Sequence, residues 1–180
     1  MDITIPEKTF EKPVSMTIRN DLRPGDLGSM ISMHGKIYSL ECGYNLVFEA
    51  YVCKTFYEFG KEYRPDLDKF WLAETGDRMV GSIAIISRAD NQAQLRWFIV
   101  DPDFRQQHLG SYLFNQAIEH CRAVKFDAVY LYTTIEQKTA LSMYEKAGFI
   151  LDSEEESQSE WGHPIQERKY VFDLRSGSSF

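Results

Sequence analysis

Apolar and polar positions alternate over residues 14–19, where Val14, Met16 and Ile18 stand against Ser15, Thr17 and Arg19. That period predicts a half-buried strand. Residues 1–13 mix charges with two prolines and show no sustained period, so they read as a loose arm. Pro24, Gly25 and Asp26 then open a helix with Asp26 as its N-cap. Leu27, Met30, Ile31, His34 and Tyr38 recur on one face of it, and Cys42-Gly43 ends it. Asn45 caps a second helix reaching about residue 62. Its inner face reads as Leu46, Ala50, Cys53 and Tyr57, widened by Val47 and Phe56.

After Arg64-Pro65-Asp66 the period shortens to that of strands. Residues 69–74 and 79–87 form two of them, joined at the hairpin turn Gly76-Asp77. Ala89-Asp90-Asn91 makes the next turn and Gln92–Val100 a fourth strand, ended by Pro102, which cannot donate to a ladder. Leu109, Leu113, Ala117, Cys121 and Val124 then recur at helical spacing to near Lys125. Residues 128–133 are apolar and aromatic enough for a buried parallel strand. Thr134-Ile135-Glu136-Gln137 fits a capping box, which opens a helix through Lys146 that Gly148 stops. A strand starts at 149–152, Glu154-Glu155-Glu156 reads as a solvated bend, and residues 166–174 make the last strand before a Ser/Gly tail at 175–180.

The predicted order is β-α-α-β-β-β-α-β-α-β-β. It describes an α/β (α+β) chain in which a mixed central sheet of about seven strands is flanked by four helices, within one domain over residues 1–180. A length of 180 residues allows a substantial core, and 43% hydrophobic with 26% charged residues matches a soluble globular chain. No apolar run approaches the roughly 20 residues of a membrane span, and the start Met1-Asp-Ile-Thr-Ile-Pro6 lacks a signal-peptide pattern. Cys42, Cys53 and Cys121 fit neither a disulfide framework nor a zinc spacing; reduced cytoplasmic thiols are expected, at least two in helix cores, and no metal. The net charge of −7 argues against nucleic-acid binding and favours a cationic substrate such as an amine.

Chemistry concentrates after the fourth strand. The loop Arg105-Gln106-Gln107-His108-Leu109-Gly110 delivers free backbone N–H groups at a helix N-terminus, an anion site suited to a phosphate or pyrophosphate. This loop resembles the Arg/Gln-x-x-Gly-x-Gly/Ala loop of the GCN5-related N-acetyltransferases. The first glycine of that pattern is His108 here, whose imidazole can itself donate a hydrogen bond. Ala140-Leu-Ser-Met-Tyr144-Glu-Lys-Ala-Gly148-Phe149 is similar to the same family's Ala-x-x-x-Tyr-Glu-Lys-x-Gly-Phe segment, and the element order over residues 14–174 resembles its fold. His34-Gly-x-x-Tyr38, Gln94-Leu-Arg96-Trp97 and Glu160-Trp161-Gly162 are similar to the acetyltransferase half of proteins with a MarR-type DNA-binding domain in front, a domain not legible in these residues.

The resemblance implies transfer of acetyl from acetyl-CoA, as co-substrate, to an amine of a small molecule or peptide, by direct attack in a ternary complex. It places the cofactor between the fourth and fifth strands, splayed at residues 97–100. The Phe98-Ile99-Val100 backbone would pair with the pantetheine arm, and the amides of Arg105 to Ser111, with Gln106, Gln107, His108, Leu109 and Gly110 between, would hold the pyrophosphate. Gln137 stands where many relatives have an Asn contacting the cofactor, and Tyr144 matches the family's general acid. A non-catalytic acyl-CoA-binding or sensing module is the alternative, and an interaction subunit with the same fold a third reading.

An amine must lose its proton before it attacks. For a lysine-like amine at pH 7 that costs about 4.6 kcal/mol, and for an α-amine only about 1 kcal/mol. Some relatives use a carboxylate on the fourth strand as base, but the matching residue is Gln94. Glu49, early in the second helix, is the candidate base; its competing role is a first-turn carboxylate facing the helix dipole. His34 and Tyr38 are candidate substrate contacts or core residues. Arg96 pairs with Glu49 or another acid, or recognises a substrate carboxylate. Trp161 lines the acceptor pocket, or sits in an exposed loop or at a dimer contact, which leaves a homodimer open.

Overall fold

The computed structural model describes residues 16–157 and 160–175. The loose arm, Val14, Ser15 and the tail from residue 176 lie outside the described residues. The elements run β1 (Met16–Arg19), α1 (Asp26–Cys42), α2 (Leu46–Glu62), β2 (Lys69–Thr75), β3 (Arg78–Ser87), β4 (Gln92–Val100), α3 (Leu109–Val124), β5 (Ala128–Thr134), α4 (Lys138–Lys146), β6 (Ile150–Ser157) and β7 (Ile165–Asp173), with a 3-10 turn at Pro102–Phe104. This is the predicted order. Among the described residues one mixed sheet joins seven strands as β1-β2-β3-β4-β5-β7-β6, and only β4 and β5 pair in parallel.

β2 and β3 are buried in continuous, mostly apolar runs because helices cover both faces of the sheet there. On one side Phe70 and Leu72 of β2 pack with Met30 of α1 and Val52, Phe56 and Phe59 of α2. On the other, Trp71 and Ala73 pack with Leu113, Ala117 and Cys121 of α3, and Tyr144 of α4 joins that cluster. The β3–β4 hairpin turns at Asp90 and Asn91, with φ of 55° and 52°; two left-handed residues in succession match the strand twist, and Asn and Asp tolerate that region.

Several expectations require correction. Asp26 is the first residue of α1 and not its cap, which is Gly25 at φ 100°. Its carboxylate instead accepts the Arg23 N–H at 2.6 Å and pairs with Arg19 of β1, which also meets Glu74 at 2.7 Å, so α1 is tied to the sheet edge. Helix α2 buries Phe48, Val52, Thr55, Phe56 and Phe59, while Leu46 and Tyr57 are exposed. Three phenylalanines bury far more apolar area than the stripe Leu46, Ala50, Cys53 and Tyr57, and that difference sets the rotation of the helix. Of the cysteines only Cys121 is buried; Cys42 is half-buried and Cys53 exposed.

No capping box forms at Thr134, which continues β5 opposite Glu167; α4 begins four residues later. Glu154, Glu155 and Glu156 are strand residues of β6, paired with Arg168, Glu167 and Gln166, not a bend. Gly148 does stop α4, at φ 93°, and an added Cβ would stand 3.3 Å from the Phe172 ring. Gly148→Ala is expected to lower stability by about 1–2 kcal/mol, from the left-handed backbone cost alone. Urea unfolding with an unchanged slope checks it.

Candidate active site

Strand β4 carries a bulge. Ala84 of β3 faces Arg96 and Ser82 faces Ile99, so Ile83 stands opposite both Trp97 and Phe98. Trp97 takes the extra position with φ of 45°, an uncommon angle for a bulky residue. Its environment holds it there. The Ser82 hydroxyl donates to the Trp97 carbonyl at 2.7 Å, the indole N–H donates to Thr55 Oγ1 at 3.2 Å, and the ring stacks on Phe56 at 4.0 Å. The bulge shifts the alternation by one. Leu95, Phe98 and Val100 pack with the α3 cluster, whereas Trp97 and Ile99 pack with the residues of α1 and α2.

The bulged strand parts from β5. Only Gln92, Ala93 and Gln94 pair with Ala128, Val129 and Tyr130, so the splay begins earlier than residue 97. β5 then follows β7 through seven antiparallel pairs. A cleft of about 140 Å³ opens in the gap and reaches residues of both layers. It is lined by His34, Tyr38, Arg96, Phe98, Gln137, Tyr144 and Trp161 from the expected set, and also by Gln94, Tyr44, Tyr51, Tyr132, Thr134 and Glu167.

The Tyr144 phenol is buried among Phe114 and Phe149, with ring centroids at 5.9 Å in both cases. Burial first, and then the Tyr38 phenol, push its pKa far above the ordinary value. His34 is buried, and its Nδ1–H donates to the Met30 carbonyl at 2.7 Å; burial pushes its pKa down to about 4, so the ring is neutral at physiological pH. It stacks on Tyr38 with centroids 5.9 Å apart. Tyr44 bonds Thr134 Oγ1 at 3.1 Å, and burial pushes its pKa up to about 12. Trp161 packs against Phe48 and Tyr51, both at 5.0 Å, and its carbonyl accepts the Asn45 N–H at 2.8 Å, which ties the 160–164 loop to the start of α2.

Glu49 does not line the cleft. Its carboxylate lies against Gly35 of α1, close enough that a Cβ there would stand 2.6 Å from Oε2. The carboxylate in the cleft is Glu167 of β7. It faces Glu155 directly across the β6–β7 ladder, and burial, reinforced by that like charge, raises its pKa. Sequence reasoning missed Glu167. Its signal is the period of two from Ile165, which packs with the α1/α2 side, onto the same face.

At the far end of β4, the first backbone bond of α3 runs from Tyr112 N–H to His108 C=O at 2.9 Å, which leaves the amides of Leu109, Gly110 and Ser111 without a helical partner. Gln106 and His108 both adopt left-handed angles, φ 61° and 62°. Gly110 lies against Phe98 and Val100, where an added Cβ would meet them at 3.7 and 3.8 Å. Arg105 reaches back. Its Nε donates to the Val100 carbonyl at 3.0 Å, and its two Nη groups clasp Glu41 at 2.7 and 3.1 Å. Thr133 Oγ1 donates to Gln137 Oε1 at 3.3 Å, which leaves that amide's N–H groups for the cleft. Ile99 instead packs with Met33 and Ile37, away from the cleft lining.

Among the described residues no helix is long and apolar enough to cross a membrane, and no group of three or more His, Cys, Asp or Glu side chains is placed to hold a metal ion.

Comparisons with known proteins agree with this arrangement. An uncharacterized N-acetyltransferase of Methanocaldococcus jannaschii is 29% identical over 139 residues, 74% of this chain and 60% of the relative. The chain therefore spans less than two thirds of that relative's length. The crystal structure of an acetyltransferase from Streptococcus agalactiae superposes with a TM-score of 0.67 at 25% identity, covering 88% of this chain and 98% of that one. A Bacillus anthracis structure solved in complex with acetyl coenzyme A shares the fold at TM-score 0.52 and 18% identity, over 59% of this chain and 62% of that one. Residues 36–149, from the second half of α1 to the end of the α4 turn, match the model of the acetyltransferase (GNAT) family, and the chain belongs to that family.

Proposed function

We propose that this protein is an acetyl-CoA-dependent N-acetyltransferase, a single domain that passes acetyl to an amine by direct attack in a ternary complex. The observation that carries this reading is the gap between β4 and β5, which has unpaired amides at one end and the Tyr144 phenol within. The residues present fit the cofactor. Phe98, Ile99 and Val100 would offer backbone to the pantetheine arm and Gln137 an amide. Arg105 to Ser111 would hold the pyrophosphate, with Arg105 turned from Glu41. The bound co-substrate supplies an activated thioester.

The α1/α2 side of the cleft would take the acceptor against His34, Tyr38 and Trp161. Glu167, rather than Glu49, would accept the amine proton, because it is the carboxylate lining the cleft and its raised pKa makes it the stronger base. Tyr144 would donate a hydrogen bond from its hydroxyl to the departing sulfur. No side-chain nucleophile is needed: Cys121 lies in the core, with burial pushing its pKa up to about 12.

Release of free thiol from acetyl-CoA in the presence of an amine panel tests the reading, with turnover for at least one amine expected. The Arg105–Glu41 clasp and Gln94 in place of a carboxylate favour the second reading, a binding module. Cofactor binding without thiol release for any amine would establish that one instead.

A further inference from the structure

We infer that the acceptor amine carries a carboxylate close to its amino group, and that Arg96 reads it. The inference deepens the transferase reading and rests on it for the site's location. Arg19, Arg78, Arg105 and Arg168 each meet a carboxylate, and Arg88 donates twice to Gln94 Oε1. Arg96 makes no ion pair and no side-chain hydrogen bond among the described residues, although it is half-buried in the lining of the cleft. Its guanidinium lies over the Trp97 ring at 4.7 Å from the centroid. That stack holds the plane but satisfies none of its five N–H donors.

A half-buried, always-charged group without an anionic partner is costly, and the cost is recovered when an anion enters. The planar fork suits a carboxylate bound through two parallel hydrogen bonds. Among the described residues no second cation competes for it in the lining, because His34 is neutral with its Nδ1–H engaged by Met30. The carboxylate of the same cleft belongs to Glu167, on the opposite wall across the β4/β5 gap, and Tyr51 senses the charge of both groups. A site with one cation and one anion matches a zwitterion. An amine held at Glu167 with a carboxylate at Arg96 describes a free amino acid, or the acidic N-terminal residue of a peptide. The Trp97 bulge makes this possible: without it Arg96 and Trp97 would point to opposite faces, and the guanidinium would lose its platform.

The test compares kcat/KM from thiol release for matched pairs: an amino acid against its carboxamide, and an Asp-first dipeptide against its Asn-first counterpart. The carboxylate raises the pKa of the neighbouring amine, so the comparison is weighted against the acid. The parent is expected to prefer the acid member of one pair by about 100-fold, the scale of a lost charged hydrogen-bonding partner. Which pair shows it identifies the source. In Arg96→Gln that ratio falls to within about threefold of unity, and Arg96→Lys, which keeps the charge and loses the fork, lies between. A purely structural Arg96 would lower the melting temperature of Arg96→Gln and leave the ratio alone. Equal rates for acid and carboxamide in the parent overturn the inference, as does an unchanged ratio in Arg96→Gln.

If no amine is acetylated, the transferase reading fails and the Arg96 site is still decided by binding. N-acetylated amino acids and their amides are titrated by tryptophan fluorescence. Carboxylate-selective binding that Arg96→Gln abolishes supports the site, and equal or absent binding overturns it.

Discussion

Tyr144→Phe is expected to lower kcat for acetyl transfer by about 100-fold and to leave the affinity for acetyl-CoA within about threefold, the scale expected when one preorganised donor to a developing anion is removed. The ring already sits between Phe114 and Phe149, so phenylalanine fills the same space and only the hydroxyl is lost. Burial raises the phenol's pKa, so it is protonated at every working pH and adds no limb to the pH profile. A thiol of pKa about 8.5 is a stronger acid than this phenol, so the hydroxyl acts mainly as a hydrogen-bond donor to sulfur while charge grows there. Steady-state rates paired with a cofactor binding isotherm check both halves. An unchanged kcat would leave Tyr144 a packing residue.

Glu167→Gln is expected to reduce kcat/KM by about 100-fold near neutral pH, the lower range for loss of a general base. The deficit shrinks as pH rises, because the amine then deprotonates unaided. In the parent, activity is expected to rise with pH as Glu167 ionises, on a limb raised by burial and by Glu155 opposite. Glu155→Gln should move that limb to lower pH without removing it.

Stability should respond in the other direction. A carboxyl whose folded pKa is raised contributes stability below its unfolded pKa and loses that contribution as pH rises through the folded value. Neutral Gln at 167 should therefore melt no lower than the parent at pH 7. Glu49→Gln is the companion experiment. Its carboxylate packs on Gly35, and the limb is expected to survive; loss of the limb there would place the base on α2.

The periodicity of the chain carries the element order because β2, β3, β4 and α3 bury clear stripes. It marks the ends of β4 but not the bulge within it, since Trp97 becomes left-handed through Ser82, Thr55 and Phe56, none of them local. The face of α2 misleads because two apolar stripes run along the helix, and tertiary packing selects the aromatic one. Thr134 has the composition of a cap, yet it is held in the ladder by Glu167 and by the Tyr44 hydroxyl. Glu155 and Glu167 are ordinary charges in isolation. They matter only in register, and register depends on pairing that no single segment encodes. The loop at Arg105–Ser111 and the Tyr144 helix are legible because each is contiguous, whereas the proposed acceptor side of the cleft is assembled from α1, α2, β4, β7 and the 160–164 loop.

The three rungs between β4 and β5 also bear on how the molecule deforms. Four strands form one plate and three form another, and this short parallel ladder is the hydrogen-bonded seam between them. A seam so short would let the plates breathe about its closed end more readily than either plate flexes within itself. A molecule lodged across the open end then acts as a cross-brace, and at 100 times its Kd it adds about 2.7 kcal/mol to the folded state. Rigidity in this protein would in that sense be completed from outside the chain.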